Sequence, residues 1–311
     1  MDIAKGIGIL IIVFGHGWFV EHSPNLLYPI LAVFILPLFF FLSGVFFKPE
    51  QPFVEMAVRK ADALLKPFFT TMLVYVLVRD LLRGQPLLPD IGGVLYASVD
   101  TLPWQALWFL PHFWAAILFA WVMLRLMQRL GLSLVWSCVV VGVQLLLGVW
   151  TLDWFWQVPI TVGGQTWTMP GLPFSLDVTL ISSTYFILGY LLRDVLRRHQ
   201  SSLLSMVVAL VVYFAIFIPT WDTMDLAQRR YDHWLWTSAL AVIGVYICWA
   251  LAGLMMTSAV LTRAMTYIGQ STLILLIFHG EIQHKTIALL QHLGNVQAIL
   301  THGNAGAPPV A

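Results

Sequence analysis

Charged side chains are scarce in this chain of 311 residues, because Asp, Glu, Lys and Arg together make up only 10% of it. Soluble domains carry about 25%. Hydrophobic residues reach 59%, whereas roughly 45–50% is usual. Such a chain has too few polar groups to cover a water-facing surface. The composition therefore excludes a soluble globular protein and predicts an integral membrane protein, with the lipid bilayer as a partner.

Cysteine and clustered positive charge are equally rare. Cys138 and Cys248 lie inside separate apolar runs, so we interpret them as small buried hydrophobic residues rather than as a disulfide or a zinc site. The formal net charge is only +1, and no basic tract extends beyond a few residues. The electrostatic footprint of nucleic-acid binding is therefore missing, which excludes nucleic acid as a partner.

Apolar runs of about 20 residues, the length that crosses a bilayer as a helix, recur along the chain. We expect an all-α, polytopic membrane bundle of nine to ten transmembrane helices over residues 1–302, followed by a disordered tail at 303–311. The first run lacks a small-residue cleavage site, so it is interpreted as a span rather than as a signal peptide. The predicted spans are 3–20, 27–47, 67–83, 107–127, 132–152, 174–192, 202–219, 234–257 and 268–280.

Lys and Arg near the span ends predict the orientation of the bundle. If the N-terminus is cytoplasmic, the inner loops hold about twice as many of these residues as the outer loops, which is the positive-inside distribution. Most tryptophans then lie at the outer interface, where we expect anchoring first and sugar stacking second. The inner segment 48–66 predicts a helix along the cytoplasmic headgroups. The outer segments 84–103, 153–173 and 220–233 predict a shallow lid.

Two ionisable residues in the first predicted span are expensive to bury, since such a group costs at least ~2.5–3.5 kcal/mol on insertion scales. Lys5 and His16 are eleven residues apart, which is about three helical turns, so they leave the helix on nearly the same face, ~16 Å apart along its axis. Alone, Lys5 would be a snorkelling residue and His16 a packed structural one. Together they predict a groove in which the cation holds a phosphate-bearing donor and the imidazole works on the transferred group at depth.

Further polar residues are predicted to bind substrate near the outer side. His279 lies near the outer end of the last predicted span, and Glu281 follows it. Zinc ligation by these two residues and His284 is a weak alternative, because i and i+5 do not share a helical face. Haem ligation needs histidines at matched depth, and the sequence contains no signal for that. We expect no metal.

Acidic and aromatic residues of the outer loops form a second group of predicted substrate ligands. Asp177 begins the sixth predicted span, and Asp225, Arg230 and Tyr231 lie in the run TMDLAQRRYD. Hydrogen bonds and stacking from such residues suit a sugar. A solvated loop with internal ion pairs is the alternative interpretation.

Five stretches in order along nearly the whole chain resemble the acyltransferase 3 family of membrane-bound O-acyltransferases. Lys5 and His16 match the family's signature, in which ten residues separate a basic residue from a histidine. The run TMDLAQRRYD is similar to a loop of the fucose 4-O-acetylase-like branch. The five stretches are DIAKGIGILIIVFGH at 2–16, LPLFFFLSGVFF at 36–47, LWFLPHFWAAILF at 107–119, YFILGYLLR at 185–193 and YIGQSTLILLIFH at 267–279.

This resemblance implies transfer of an acyl group, usually acetyl from cytoplasmic acetyl-coenzyme A, to a hydroxyl of an extracytoplasmic glycan, lipid-linked sugar or small molecule. It also implies a bacterial inner membrane, a catalytic imidazole at His16, and a role for Lys5 in holding the coenzyme A thioester. An imidazole with a pKa of about 6.5 suits a general base. An acyl-imidazole intermediate would serve equally well.

The chain departs from the family's pattern in two places. Where the family often carries Arg-x-x-Arg, this sequence has Lys60 and Ala63, so Arg59 and Lys66 are expected to supply the missing charge for coenzyme A. The family's tenth span would fall at 286–302, which is polar here, so we expect a truncated or atypical C-terminal end.

Two other functions stay open at this point. A transporter of a polar solute or glycan precursor would also explain an intramembrane histidine. A non-catalytic, acyltransferase-like sensor or partner subunit is the third hypothesis.

Overall fold

The computed structural model of the chain describes residues 1–15, 27–199 and 201–292. Helices dominate these residues, which confirms the predicted all-α class. The helices are α1 (Asp2–Gly15), α2 (Leu27–Val45), α3 (Phe53–Arg83), α4 (Leu87–Tyr96), α5 (Phe109–Arg129), α6 (Leu134–Trp150), α7 (Thr179–Arg198), α8 (Leu203–Thr220), α9 (Trp234–Met255), α10 (Ala259–Gln270) and α11 (Thr272–His292).

Six helical segments in the described part of the chain are long and apolar enough to cross a membrane, which confirms an integral membrane protein. They are Tyr28–Val45, Phe53–Arg83, Gln105–Arg129, Pro173–Arg198, Leu203–Thr220 and Trp234–Met255. A seventh results if α10 and the first part of α11, which are bent by 69° at a short break, count as one span. The apolar α6 has 17 residues and α1 has 14. The count of nine to ten spans remains a prediction.

The prediction that separated a surface helix at 48–66 from a span at 67–83 is wrong. A single helix of 31 residues, α3, covers most of both segments. Pro67 lies at the predicted boundary, and proline lacks the backbone donor of a helix. The helix nevertheless continues through it, and the Thr70 hydroxyl donates to the carbonyls of Lys66 at 2.8 Å and Pro67 at 3.2 Å. The cationic start of α3 is therefore rigidly joined to its apolar end.

Two small hairpins lie in the segments that the sequence predicted to form an outer lid. In the first, β1 (Trp156–Val162) pairs antiparallel with β2 (Gln165–Pro170). Gly163 and Gly164 connect the strands with φ of 60° and 81°, which is the backbone that a two-residue hairpin turn requires. The second hairpin pairs β3 (Met224–Asp225) with β4 (Arg230–Tyr231).

Glycine pairs let helices cross at backbone contact in two places. A Cβ at Gly44 of α2 would overlap the Phe186 carbonyl oxygen, and a Cβ at Gly189 of α7 would overlap the Phe41 carbonyl oxygen. Small residues are how membrane helices approach this closely. Likewise, a Cβ at Gly269 of α10 would overlap the Asp2 carbonyl oxygen at the start of α1.

The first helix lies inside the bundle, where it contacts α2, α9, α10 and α11. Because α10 is held against its start and the chain bends directly afterwards, the first turn of α11 comes to lie near Lys5. This arrangement positions the site described next.

Candidate active site

A cavity of about 310 Å³ lies at the end of the bundle where α1 starts, and we call it the inner cavity. Four cations line it, and they come from α1, from the loop after α2 and from the start of α3: Lys5, Lys48, Arg59 and Lys60. The rest of the wall is largely apolar, with Ser43, Gln51 and Thr272 as polar exceptions. A cationic and otherwise apolar cavity suits a molecule that has phosphates at one end and a less polar arm.

Three of the four predicted donor-binding residues meet in this cavity. Lys5, Arg59 and Lys60 line it, whereas Lys66 does not belong to its described lining. Lys66 is seven positions after Arg59 on the same helix, and its side chain is exposed. Lys48 was missed, because the sequence marked it only as a basic residue at the end of a span.

A second cavity of about 590 Å³ lies toward the other end of α1, and we call it the outer cavity. Helix α2 connects the two cavities: Tyr28 and Ala32, near its start, line the outer one, and Phe39 and Ser43, further along, line the inner one. The two cavities therefore extend toward opposite ends of the bundle.

The outer cavity combines aromatic faces with hydrogen-bonding groups. Its described lining includes the aromatic residues Tyr28, Trp104, Trp108 and Phe109, and the polar residues Gln105, Asp225, Gln228 and His279. The sequence had assigned most tryptophans to membrane anchoring. Trp104 and Trp108 instead contribute to a cavity wall, which hydropathy alone does not reveal.

Asp225 is held in a fixed orientation at the edge of the outer cavity. Its Oδ1 accepts hydrogen bonds from the backbone amides of Ala227 at 3.0 Å and Gln228 at 3.2 Å. The Tyr28 hydroxyl donates to its Oδ2 at 3.5 Å. A carboxylate accepts more bonds than these, so Asp225 retains capacity for a ligand hydroxyl.

His279 lines the outer cavity from α11 and is 5% exposed. Its Nδ1 lies 3.0 Å from the carbonyl oxygens of Leu275 and Leu276. A carbonyl only accepts, so Nδ1 is the donor in these contacts. Glu281 is part of the same helix, and the structure describes its backbone but not its side chain.

One face of α1 runs along both cavities. Lys5, Ile9 and Ile12 line the inner cavity, and Ile12 and Gly15 line the outer one. Positions 5, 9 and 12 follow the helical period, as the sequence predicted for the groove. His16, the next position of that period, lies outside the described residues, so its catalytic role stays a prediction.

The two cavities adjoin at three apolar side chains. Ile12 of α1, Phe109 of α5 and Leu276 of α11 line both of them. Ile12 is seven residues, or ~10 Å, further along α1 than Lys5. Molecules that enter from opposite ends would therefore meet at these three residues, which we call the junction.

Asp177 and Arg229 form a buried ion pair next to the hairpins instead of lining a cavity. The Arg229 guanidinium donates to both carboxylate oxygens, at 2.7 and 3.2 Å, and both side chains are fully buried. The Leu172 amide donates to Asp177 at 3.1 Å, and the guanidinium lies 4.1 Å from the Trp156 ring centre. Asp177 thus holds the second hairpin against the first.

Arg230 and Tyr231 also have structural partners and do not belong to the described lining of either cavity. Arg230 is paired with Asp232 at 2.9 Å on an exposed edge. The Tyr231 hydroxyl lies in hydrogen-bonding distance of the hydroxyls of Tyr185, at 2.7 Å, and Ser238, at 2.6 Å. Of the four outer-loop residues predicted to bind a sugar, Asp225 is therefore the one that the structure places at a cavity. Among the described residues, no group of three or more His, Cys, Asp or Glu forms a metal-type cluster.

Comparison with known proteins found one family. The profile of a family described as an acyltransferase domain matches residues 1–306 of the chain. No curated protein and no solved structure shows a significant match.

Proposed function

Since the chain belongs to this acyltransferase family and is a membrane enzyme, we propose that it transfers an acyl group from cytoplasmic acyl-coenzyme A to an acceptor hydroxyl presented from the other side of the membrane. The acyl group is acetyl in the first place. The observation that carries the proposal is the junction. A cationic cavity from one end and a polar, aromatic cavity from the other end adjoin there. Donor and acceptor therefore reach one place without either crossing the bundle.

The inner cavity fits the donor's chemistry. Coenzyme A carries several phosphates, and cationic side chains bind phosphate by charge-assisted hydrogen bonds. Lys5, Lys48, Arg59 and Lys60 would hold these groups at the cavity mouth. The less polar arm would then extend along the apolar wall and bring the thioester toward the junction.

The outer cavity fits a sugar or glycan hydroxyl. Aromatic faces such as those of Trp104 and Trp108 pack on the apolar faces of sugar rings, while Asp225 and Gln228 offer groups that hydrogen-bond hydroxyls. An outward-facing carbohydrate and a bacterial inner membrane are therefore part of the proposal, as is the likeness to the fucose 4-O-acetylase-like branch.

The chemical step needs a base for a weakly acidic hydroxyl. We assign it to His16, which follows Gly15 of the outer cavity wall directly in the sequence. The imidazole removes the hydroxyl proton, the oxygen attacks the thioester carbonyl carbon, and the carbon–sulfur bond breaks as the thiolate leaves. General base catalysis of this kind contributes about 10²–10⁴-fold. The thiolate then takes up a proton.

Acetyl transfer from labelled acetyl-coenzyme A in membrane vesicles tests the proposal. We expect label in an added glycan acceptor with the wild-type chain, and a loss of at least about 10²-fold in His16→Ala. His233→Ala replaces an exposed outer-loop histidine and serves as the matched control with full activity. Unchanged activity of His16→Ala at equal protein level would refute its role. Movement of a solute without any transferred label would favour a transporter.

A further inference from the structure

We propose that the junction selects a short acyl chain, with Ile12, Phe109 and Leu276 as the specificity-determining residues. The inference rests on the proposed function, because it concerns the acyl group of the same donor. The junction is where the inner cavity ends, so the acyl group, which leads the donor into that cavity, meets these three side chains first.

The junction consists of side chains with no hydrogen-bonding group. An acyl chain is apolar, so these side chains accept its methyl and methylene groups without a desolvation cost. Further growth of the chain is limited by what lies beyond them. The wall there contains Asp225, Gln105 and His279. A longer apolar chain would cover these polar groups and prevent them from forming hydrogen bonds with the acceptor.

Phe109 is the most firmly held member of the junction. Its ring stacks on Phe113 with centres 5.1 Å apart and meets the edges of Phe40 at 5.6 Å and Phe39 at 6.1 Å. The residue is 9% exposed. Three neighbouring rings therefore oppose any rotation that would make room for a longer chain, so the limit is set by packing rather than by a mobile side chain.

The test compares acyl-chain preference, measured as kcat/KM for octanoyl-coenzyme A divided by kcat/KM for acetyl-coenzyme A. The wild-type chain is expected to prefer acetyl. Phe109→Leu and Leu276→Ala enlarge the junction and should each raise the ratio at least tenfold, since one methylene in an apolar pocket is worth about 10–200-fold. Leu276→Val provides a milder variant with a smaller rise, should Leu276→Ala fail to accumulate.

Phe68→Leu is the matched control. Phe68 is fully buried in α3 and does not belong to the described lining of either cavity, so its replacement loosens the core without widening the junction. The inference is overturned if the wild type prefers octanoyl, if the ratio stays constant in Phe109→Leu while acetyl transfer persists, or if Phe68→Leu raises it equally. Failure of the proposed function looks different, because the wild type would then transfer no acyl group from either donor.

Discussion

Removing the carboxylate of Asp177 should destabilise the protein rather than weaken acceptor binding. The change Asp177→Ala leaves the buried Arg229 guanidinium without its counter-charge, because it loses both hydrogen bonds to that carboxylate and keeps only the bond to the Ala227 carbonyl and the contact with the Trp156 ring. Breaking one partner of a buried pair costs about 3–5 kcal/mol. The neighbouring Arg230 has an exposed side chain in its pair with Asp232, and exposed pairs contribute about 0–1 kcal/mol. Arg230→Ala is therefore a control one residue away.

Thermal unfolding of the purified protein in detergent micelles measures the difference. We expect a large drop in Tm for Asp177→Ala, a small one for Arg230→Ala, and partial recovery in the double variant Asp177→Leu with Arg229→Met, since apolar replacements of a buried pair are often neutral. An unchanged Tm for Asp177→Ala together with a raised KM for the acceptor would refute this reasoning. That result would return Asp177 to the sugar-binding role that the sequence suggested.

Three other predictions follow from the helix crossing, the inner cavity and the outer hairpin. Gly189→Ala should lower the free energy of unfolding by about 1–3 kcal/mol, because overpacking has that cost and the added Cβ would overlap the backbone carbonyl of Phe41. Gly142→Ala, with no atom near its added Cβ, should be neutral or slightly stabilising in the same unfolding assay. Lys60→Ala should raise the KM for acyl-coenzyme A several-fold in transfer kinetics, whereas Lys66→Ala, outside the cavity lining, should not, and equal effects would argue against a phosphate site. Burial alone raises the pKa of the Asp232 carboxyl, but hydrogen bonds from Arg230 and Thr223 outweigh it and lower that pKa below 3.8. The stabilisation is therefore present above about pH 4 and is lost as the pH falls through the lowered value. Tm measured from about pH 5 to 3 should fall more in wild type than in Asp232→Asn, and parallel curves would contradict the assignment.

Periodicity predicted which residues share one face of α1. Lys5 and Ile12 lie on one side of one helix, so their relation follows from the helical repeat without knowledge of the partners. Lys5, Arg59 and Lys60 line the cavity beside that helix, and their role in binding a donor stays a prediction. The same reasoning extends to His16, whose position the structure does not describe.

Long-range pairing explains what the sequence did not predict. Asp177 and Arg229 are 52 positions apart, and a carboxylate in a loop has the same local pattern whether it binds a sugar or a guanidinium. Trp104 resembles any interfacial anchor until the start of α5 and the middle of α11 are placed beside it. The boundary predicted between 66 and 67 is absent, because α3 continues through Pro67, where the Thr70 hydroxyl donates to the Lys66 carbonyl.

The three apolar side chains between the cavities have an electrical consequence. The two cavities approach each other within the bundle. A continuous file of water between them would conduct ions and protons down the membrane potential, which is worth about 2.3 kcal/mol per charge for each 100 mV. Apolar constrictions interrupt such a file because water leaves them. Under the proposed function, the enzyme would transfer a small uncharged acyl group at the junction while the membrane around it stays an insulator.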